Sequence, residues 1–336
     1  MPRSPLLLGT GLLLAACAAP AQDGRWLLTE ENDGIVSRED RHYTQGTTLT
    51  YLSAPLEERS LGYRSFEVLG VFLPMFRWSQ DAQRHIAWQV YGQSQFTPAD
   101  PQRVPPDSRD RPYAAWLYTG LAWLQEIDGE SLHDFEVLAG VVGPAALGRQ
   151  TQNGFHAIFG FNEAAGWDYQ LGNRGAFQFS YGYRHRVPLG ASAFRFDLVP
   201  SAGVSLGTVM RYVEAGGLLR FGNATSADYG PQRVRPALSG TAYADAGALG
   251  PDFLAFNVFV GGQVRRVQYN RFIDGAAEIS AEGLSRRPWA LDALAGGTVW
   301  LSPHLRADFT ATRRSREFIG QSSFDVYGAA TLSVAW

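Results

Sequence analysis

The sequence predicts an all-β protein: a transmembrane antiparallel β-barrel of about twelve strands, with a short helix in an external loop. Three observations predict it. Apolar and polar residues alternate with a period of two from one end of the chain to the other. The chain begins with an export signal and ends in the strand VYGAATLSVAW, closed by the aromatic Trp336. Beyond the signal there is no apolar run of about eighteen residues, so no membrane-spanning helix is expected.

The opening MPRSPLLLGTGLLLAACAAPAQ has Arg3 as its positive region, Leu6 to Ala16 as its apolar core and Ala19-Pro20-Ala21 as an A-x-A cleavage site. Residues 1–21 are read as a signal peptide and 22–336 as one outer-membrane barrel domain. Leu14-Ala15-Ala16-Cys17 also fits the pattern cleaved and lipidated at cysteine, so both processing routes stand. Cys17 is the only cysteine, which leaves no disulfide framework and no thiolate metal site. The chain has no lysine, which excludes Schiff-base chemistry and a P-loop. A formal net charge of −3 gives no reason to expect nucleic acid.

Strands are expected over 25–33, 42–53, 84–95, 113–127, 130–142, 174–187, 194–206, 209–222, 253–269, 288–301, 304–316 and 324–336. In 176–186, Phe177 and Phe179 alternate with Gln178, Ser180, Arg184 and Arg186; in 305–314, Phe309 alternates with Arg306 and Asp308. A soluble sandwich would show the same alternation with the aromatics inside; in an exported chain with this C-terminus the aromatics should instead face lipid and the charges the lumen. Links 34–41, 96–112, 143–173, 270–287 and 317–323 then fall outside the cell. Asp128-Gly129 and Ser302-Pro303 make tight periplasmic turns. Links 54–83 and 223–252 also count as periplasmic and are long for that side, so either they are exceptions or the strand count fails there. One loop is helical in pattern: in 148–161, Phe155, Ile158 and Phe159 recur at helical spacing, with Arg149, Gln152, Asn153 and His156 opposite. This helix is expected over the barrel mouth.

Of the six histidines, His85, His133, His185 and His304 read as surface or girdle residues. His42 lies at the rim, and His156 stands out among helix amides. The segment ENDGIVSREDRHYTQG, residues 31–46, concentrates carboxylates. Its Arg38, Glu39, Asp40 and Arg41 could be a solvated loop. Glu31-Asn32-Asp33 closes one expected strand and Thr44 starts the next, so the two ends meet at one rim. Their hard oxygens suit Ca²⁺, although no EF-hand spacing is present. Asn32 and Asp33 are neighbours and would face opposite ways on a regular strand, so a bulge or strand end must reorient one of them. No G-x-S-x-G elbow and no HExxH occur.

These residues carry a resemblance. Glu31-Asn32-Asp33, Asp40-Arg41-His42-Tyr43-Thr44-Gln45-Gly46, Asp110-Arg111-Pro112-Tyr113, Gln152-Asn153-Gly154-Phe155-His156, Gly166-Trp167-Asp168-Tyr169-Gln170 and Arg316-Glu317-Phe318, in this order, resemble the outer-membrane lipid A 3′-O-deacylase family. The resemblance spans roughly residues 30 to 336 and implies a twelve-stranded barrel with its site between the wall and an external helix. It implies a calcium-dependent ester hydrolase, with lipid A or lipopolysaccharide in the outer membrane as substrate and a monomer as the expected state. It assigns Asn32 and Asp33 to the metal and oxyanion site, Thr44 to the same site and His156 as general base. Gln152, Glu163 and Asp40 are accessory candidates. A carboxylate six residues past the histidine in some members is Asn162 here, with Glu163 beside it. Without lysine, arginines such as Arg103, Arg109 or Arg111 would have to meet lipid phosphates. A non-catalytic pore or structural barrel, or a phospholipase with the same metal logic, are the competing readings.

Overall fold

The computed structural model describes residues 24–36, 41–77, 82–234, 242–249 and 254–335. The signal peptide, Asp40 and Trp336 lie outside the described residues. The strands among them are β1 (Arg25–Asn32), β2 (His42–Leu52), β3 (Gln83–Thr97), β4 (Ala114–Ile127), β5 (Ser131–Val142), β6 (Arg174–His185), a three-residue β7 (Val187–Leu189), β8 (Arg195–Gly207), β9 (Met210–Gly222), β10 (Ala255–Asn270), β11 (Trp289–Ser302), β12 (Leu305–Arg314) and β13 (Asp325–Ala335). Neighbours pair antiparallel in chain order, β1 pairs with β13, and β6 pairs with β8 past the short β7. Twelve strands therefore close a ring. Closure matters because backbone N–H and C=O groups left unpaired in hydrocarbon are costly. An even number of strands brings both chain ends to one side, the periplasmic side of such barrels.

The alternation orients the wall as expected. Phe177, Phe179 and Phe309 are exposed on the outside, whereas Arg184, Arg186, Arg306 and Asp308 are buried inside. The last strand does the same, with Leu332 outward and Tyr327, Thr331 and Ser333 inward. Many of the inward charges are paired. Arg220 bridges Asp197 and Asp228, Arg265 and Arg314 share Asp292, and Arg184 meets Asp134. Pairing is required because an isolated charge taken out of water costs far more than a neutral group.

Both long periplasmic links are real exceptions, and the count of twelve stands. Link 53–82 carries α1 (Leu61–Phe72) and a 3₁₀ turn (Pro74–Arg77). The first part of link 223–254, residues 223–234, turns inward and fills the lumen. Its Asp228 side chain accepts from Arg220, Tyr229 donates to Glu126, and Gln232 donates to Thr50. Further along, Arg233 donates to Glu31 and Thr312. This plug was not anticipated from the sequence, where residues 223–234 show no strand or helix period. On the mouth side, the external links carry α2 (Gly148–Phe159) and α3 (Arg271–Asp274). Among the described residues no helix is long and apolar enough to cross a membrane.

Candidate active site

β1 buries Arg25, Leu27, Thr29 and Glu31 in the barrel, so Glu30 and Asn32 lie on its outward face. In register, Asn32 stands opposite Gln45 on β2, Gln45 opposite Gln95 on β3, and Gln95 opposite Ala115 on β4. Neighbouring strands lie about 4.8 Å apart, so this row runs roughly 14 Å around the outside of the wall. Two irregularities build it. The β2–β3 register slips at Thr44, which leaves an extra residue there. Thr44 Oγ1 then meets Thr97 Oγ1 at 2.6 Å on the same side. The β3–β4 register slips between Gln89 and Gly92, which resets the alternation. Below the slip the outward residue is the exposed Trp88; above it Gln93, Gln95 and Thr97 take that face.

Amides facing lipid would be costly, yet Gln93, Gln95, Thr97 and Thr44 are all buried. The external link between β5 and β6 packs on this face at Gln93 and Ala115. Gln93 Nε2 donates to the Ala146 carbonyl at 2.6 Å. Gly148, the first residue of α2, leaves no room for a side chain: a Cβ there would stand 2.6 Å from that of Ala115. The helix therefore leans on the outer face of β3 and β4 and does not cap the lumen, which corrects the expectation that it lies over the mouth. The lumen is filled from below by residues 223–234, and the external link instead serves the wall.

The strand ends at Asn32, and Asp33–Ile35 form a 3₁₀ turn, so strict alternation no longer separates Asn32 from Asp33. Asn32 Oδ1 accepts from Gly34 N at 2.6 Å, and Asp33 Oδ2 accepts from Arg41 N at 2.7 Å. On α2, Gln152 is buried and accepts from Trp167 Nε1 at 2.8 Å, which makes it part of the packing beneath the helix. Asn153 Oδ1 accepts from Ala164 N at 2.9 Å. His156 Nδ1 lies 2.6 Å from the Asn162 carbonyl. A carbonyl only accepts, so Nδ1 carries the hydrogen and Nε2 keeps its lone pair in the neutral ring. The departure at Asn162 thereby finds a physical reading: its backbone carbonyl orients the imidazole. Glu163 is exposed, and its backbone carbonyl accepts from Gln102. The helix ends at Gly160 in the left-handed region, φ 75°, where glycine carries no Cβ penalty.

The donor set can be tested against a divalent cation. Among the described residues no group of three or more His, Cys, Asp or Glu could hold a metal. What the site offers is the carboxylate of Asp33 and, two residues before Asn32 on the same outward face, that of Glu30, which accepts from Gln45 Nε2 at 2.9 Å, with the neutral oxygens of Asn32 and nearby backbone. The buried Gln95 Oε1 also has no hydrogen-bond partner among the described residues. Hard oxygens of this kind fit Ca²⁺, which accepts irregular shells completed by carbonyls and water. They do not fit Zn²⁺, which takes nitrogen and sulfur in a tetrahedron.

The external arginines divide. Arg111 is buried against Glu317 at 2.8 Å, so it is unavailable to a phosphate, contrary to expectation. Arg103 and Arg109 are exposed and share Asp107. One histidine also differs from expectation, and His42 at the rim is more deeply held than its place suggests. His85 is buried, its Nδ1 donating to the Ser53 carbonyl. His42 is buried with φ 60°, and its two ring nitrogens meet Asp325 at 2.6 Å and Asp110 at 3.2 Å. A left-handed non-glycine residue costs about 1–2 kcal/mol, so these partners hold it in place. Asp110 is kept below the usual carboxylate range: burial opposes its charge, but hydrogen bonds from His42 and the Ala99 and Arg111 amides outweigh that. Gln45, Gln95 and Thr97 were missed as site residues. The available signal was the polar run Gln93-Ser94-Gln95, which puts polar groups on both faces of a strand that should show lipid one apolar face.

Fold and site together define a closed outer-membrane β-barrel that carries a covered polar cleft on its lipid-facing wall. The chain belongs to the family described as outer membrane protein LpxR, whose model matches residues 6–336. Among solved structures, LpxR from Salmonella typhimurium superposes with a TM-score of 0.71 at 18% identity, over 93% of this chain and 100% of that one. The β-domain of the Bordetella autotransporter BrkA gives 0.41 at 9% identity over 93% of this chain and 98% of that one. The transport unit of AIDA-I from Escherichia coli gives 0.41 at 8% identity over 97% and 94%. No curated protein matches the sequence. The protein is accordingly an outer-membrane protein of a Gram-negative cell.

Proposed function

We propose that this protein is a lipid A 3′-O-deacylase: it hydrolyses the 3′-linked acyl ester of lipid A, with water as nucleophile and His156 as general base. The observation that carries this reading is the Asn32–Gln45–Gln95 row, polar where the wall should be apolar and covered by the link that holds His156 by Nδ1. A site on the outer wall suits a substrate that never leaves the leaflet. Its ester can reach the cleft sideways, with its acyl chain still in lipid.

His156 Nε2 takes a proton from water as the oxygen attacks the ester carbonyl carbon. The Asn162 carbonyl keeps the ring in the tautomer that can do this. The tetrahedral intermediate expels the sugar 3′-oxygen, which recovers the proton from the imidazolium, leaving a free fatty acid and a sugar hydroxyl. Thr44, tethered to Thr97, offers a hydroxyl to the same face. Asn32 and Asp33 would hold Ca²⁺, which when bound supplies positive charge to the carbonyl oxygen. The lumen filled by residues 223–234 weighs against a pore.

The test is mass spectrometry of lipid A from cells expressing the wild type or His156→Gln. The expected result is loss of one 3′-linked acyl group with the wild type only. Unaltered lipid A with fatty acid released from phospholipid would move the reading to a phospholipase.

A further inference from the structure

We propose that α1 is an interfacial anchor, its apolar stripe of Leu61, Val68 and Phe72 seated among the acyl chains of the periplasmic leaflet of the outer membrane. Periplasmic links of such barrels are usually short turns, and an amphipathic helix there calls for a physical reason. The helix begins at Ser60, whose hydroxyl accepts from Tyr63 N as its N-cap.

Its seat fixes its height. α1 does not hang below the barrel; it lies against the outward face of β3 and β4. Trp123 Nε1 donates to Ser65 Oγ at 2.7 Å, and Phe66 is fully buried. Below it, the outward Arg84 and Gln125 bond each other and the carbonyls of Phe76 and Met75. One register step above Ile86 and Trp123, Trp88 and Leu121 form the next outward pair, and both are exposed. The helix thus sits where the wall changes from polar to apolar, level with an aromatic residue, Trp123, of the kind that marks a membrane–water boundary.

Its faces fit that position. At 3.6 residues per turn, Leu61, Val68 and Phe72 fall within about 40° of one another. They are 84%, 64% and 78% exposed, in a helix whose opposite side is packed by Phe66 and Gly70. Arg64 and Glu67 are exposed on the remaining flank, with Val71 beside them. One face meets the wall, one is apolar and one is charged, the pattern of a helix lying in the interface plane. The apolar stripe is continuous with the lipid-facing belt that begins at Trp88 and Leu121, and this continuity identifies lipid as its occupant.

Cysteine substitutions in a Cys17→Ser background test this, because Cys17 is the only cysteine in the sequence. Nitroxide labels at Glu67, Val68 and Phe72 are compared in the full chain inserted into phosphatidylethanolamine–phosphatidylglycerol vesicles, with heat-modifiable gel mobility as the folding control. Collisional relaxation by oxygen, which enters hydrocarbon, is set against that by a water-soluble nickel chelate. The expected oxygen-to-nickel ratio is several-fold higher at positions 68 and 72 than at position 67. Equal ratios at all three positions would place the stripe in water and overturn the proposal, leaving a periplasmic protein as its occupant.

Discussion

Arg233→Ala removes one of the contacts that tie the lumen plug to the wall, the one behind the candidate site. Arg233 Nε donates to Glu31 Oε1 at 3.0 Å, and Nη2 donates to Thr312 Oγ1 at 3.1 Å and Tyr327 OH at 3.3 Å. Glu31 is fully buried, and after the substitution its remaining donors are Tyr43 OH at 3.0 Å and Val234 N at 3.1 Å. Two neutral donors do not replace a guanidinium. Breaking a buried ion pair from one side costs about 3–5 kcal/mol, most of it the uncompensated charge that stays behind. The double variant Glu31→Gln/Arg233→Met keeps much of the volume and leaves no charge, so its loss should be about 1–2 kcal/mol. The assay is urea unfolding in detergent micelles, followed by tryptophan fluorescence and by heat-modifiable gel mobility. A loss below about 1 kcal/mol for Arg233→Ala, or a double variant as unstable as the single one, would refute the reasoning that the charge governs this contact.

His156→Gln should leave a folded barrel and lower deacylation about 10² to 10⁴-fold, the usual cost of a lost general base; His133→Gln and His304→Gln should be near-silent in the same assay in detergent. Asp33→Ala should abolish activity, and so should excess chelator on the wild type, with Mg²⁺ restoring activity poorly because it demands stricter octahedral geometry; full activity in chelator would remove the cation from the reading. Acid should loosen the rim. Because Asp110 is held below its ordinary value, its contribution to folding is complete above about pH 4 and is lost as pH falls further through its folded-state value. Amide exchange in residues 98–113 should therefore quicken on acidification below pH 4, more than exchange in β11 does; Asp110→Asn should show the faster exchange already at pH 7.

The alternation of residues such as Phe177/Gln178 and Arg306/Ala307 determined the barrel from sequence alone. In a membrane the solvent on each side of a strand dictates side-chain polarity, so local pattern and global fold carry the same information. That Asn32, Asp33 and Thr44 lie at one rim was legible for a similar reason: they sit at two strand ends joined by a short link, and sequence proximity stands in for spatial proximity. Three things were decided only by tertiary structure. The row Asn32–Gln45–Gln95–Ala115 depends on register across four strands and on slips at Thr44 and between Gln89 and Gly92, and a slip of one residue exchanges the two faces without changing composition. The hydrogen bond from His156 Nδ1 goes to a backbone carbonyl, a group present at every residue and therefore invisible in side-chain identity. The path of residues 223–234 into the lumen is set by where Asp228 and Arg233 find buried partners on distant strands, and a segment with no period of its own gives no local sign of which partners those are.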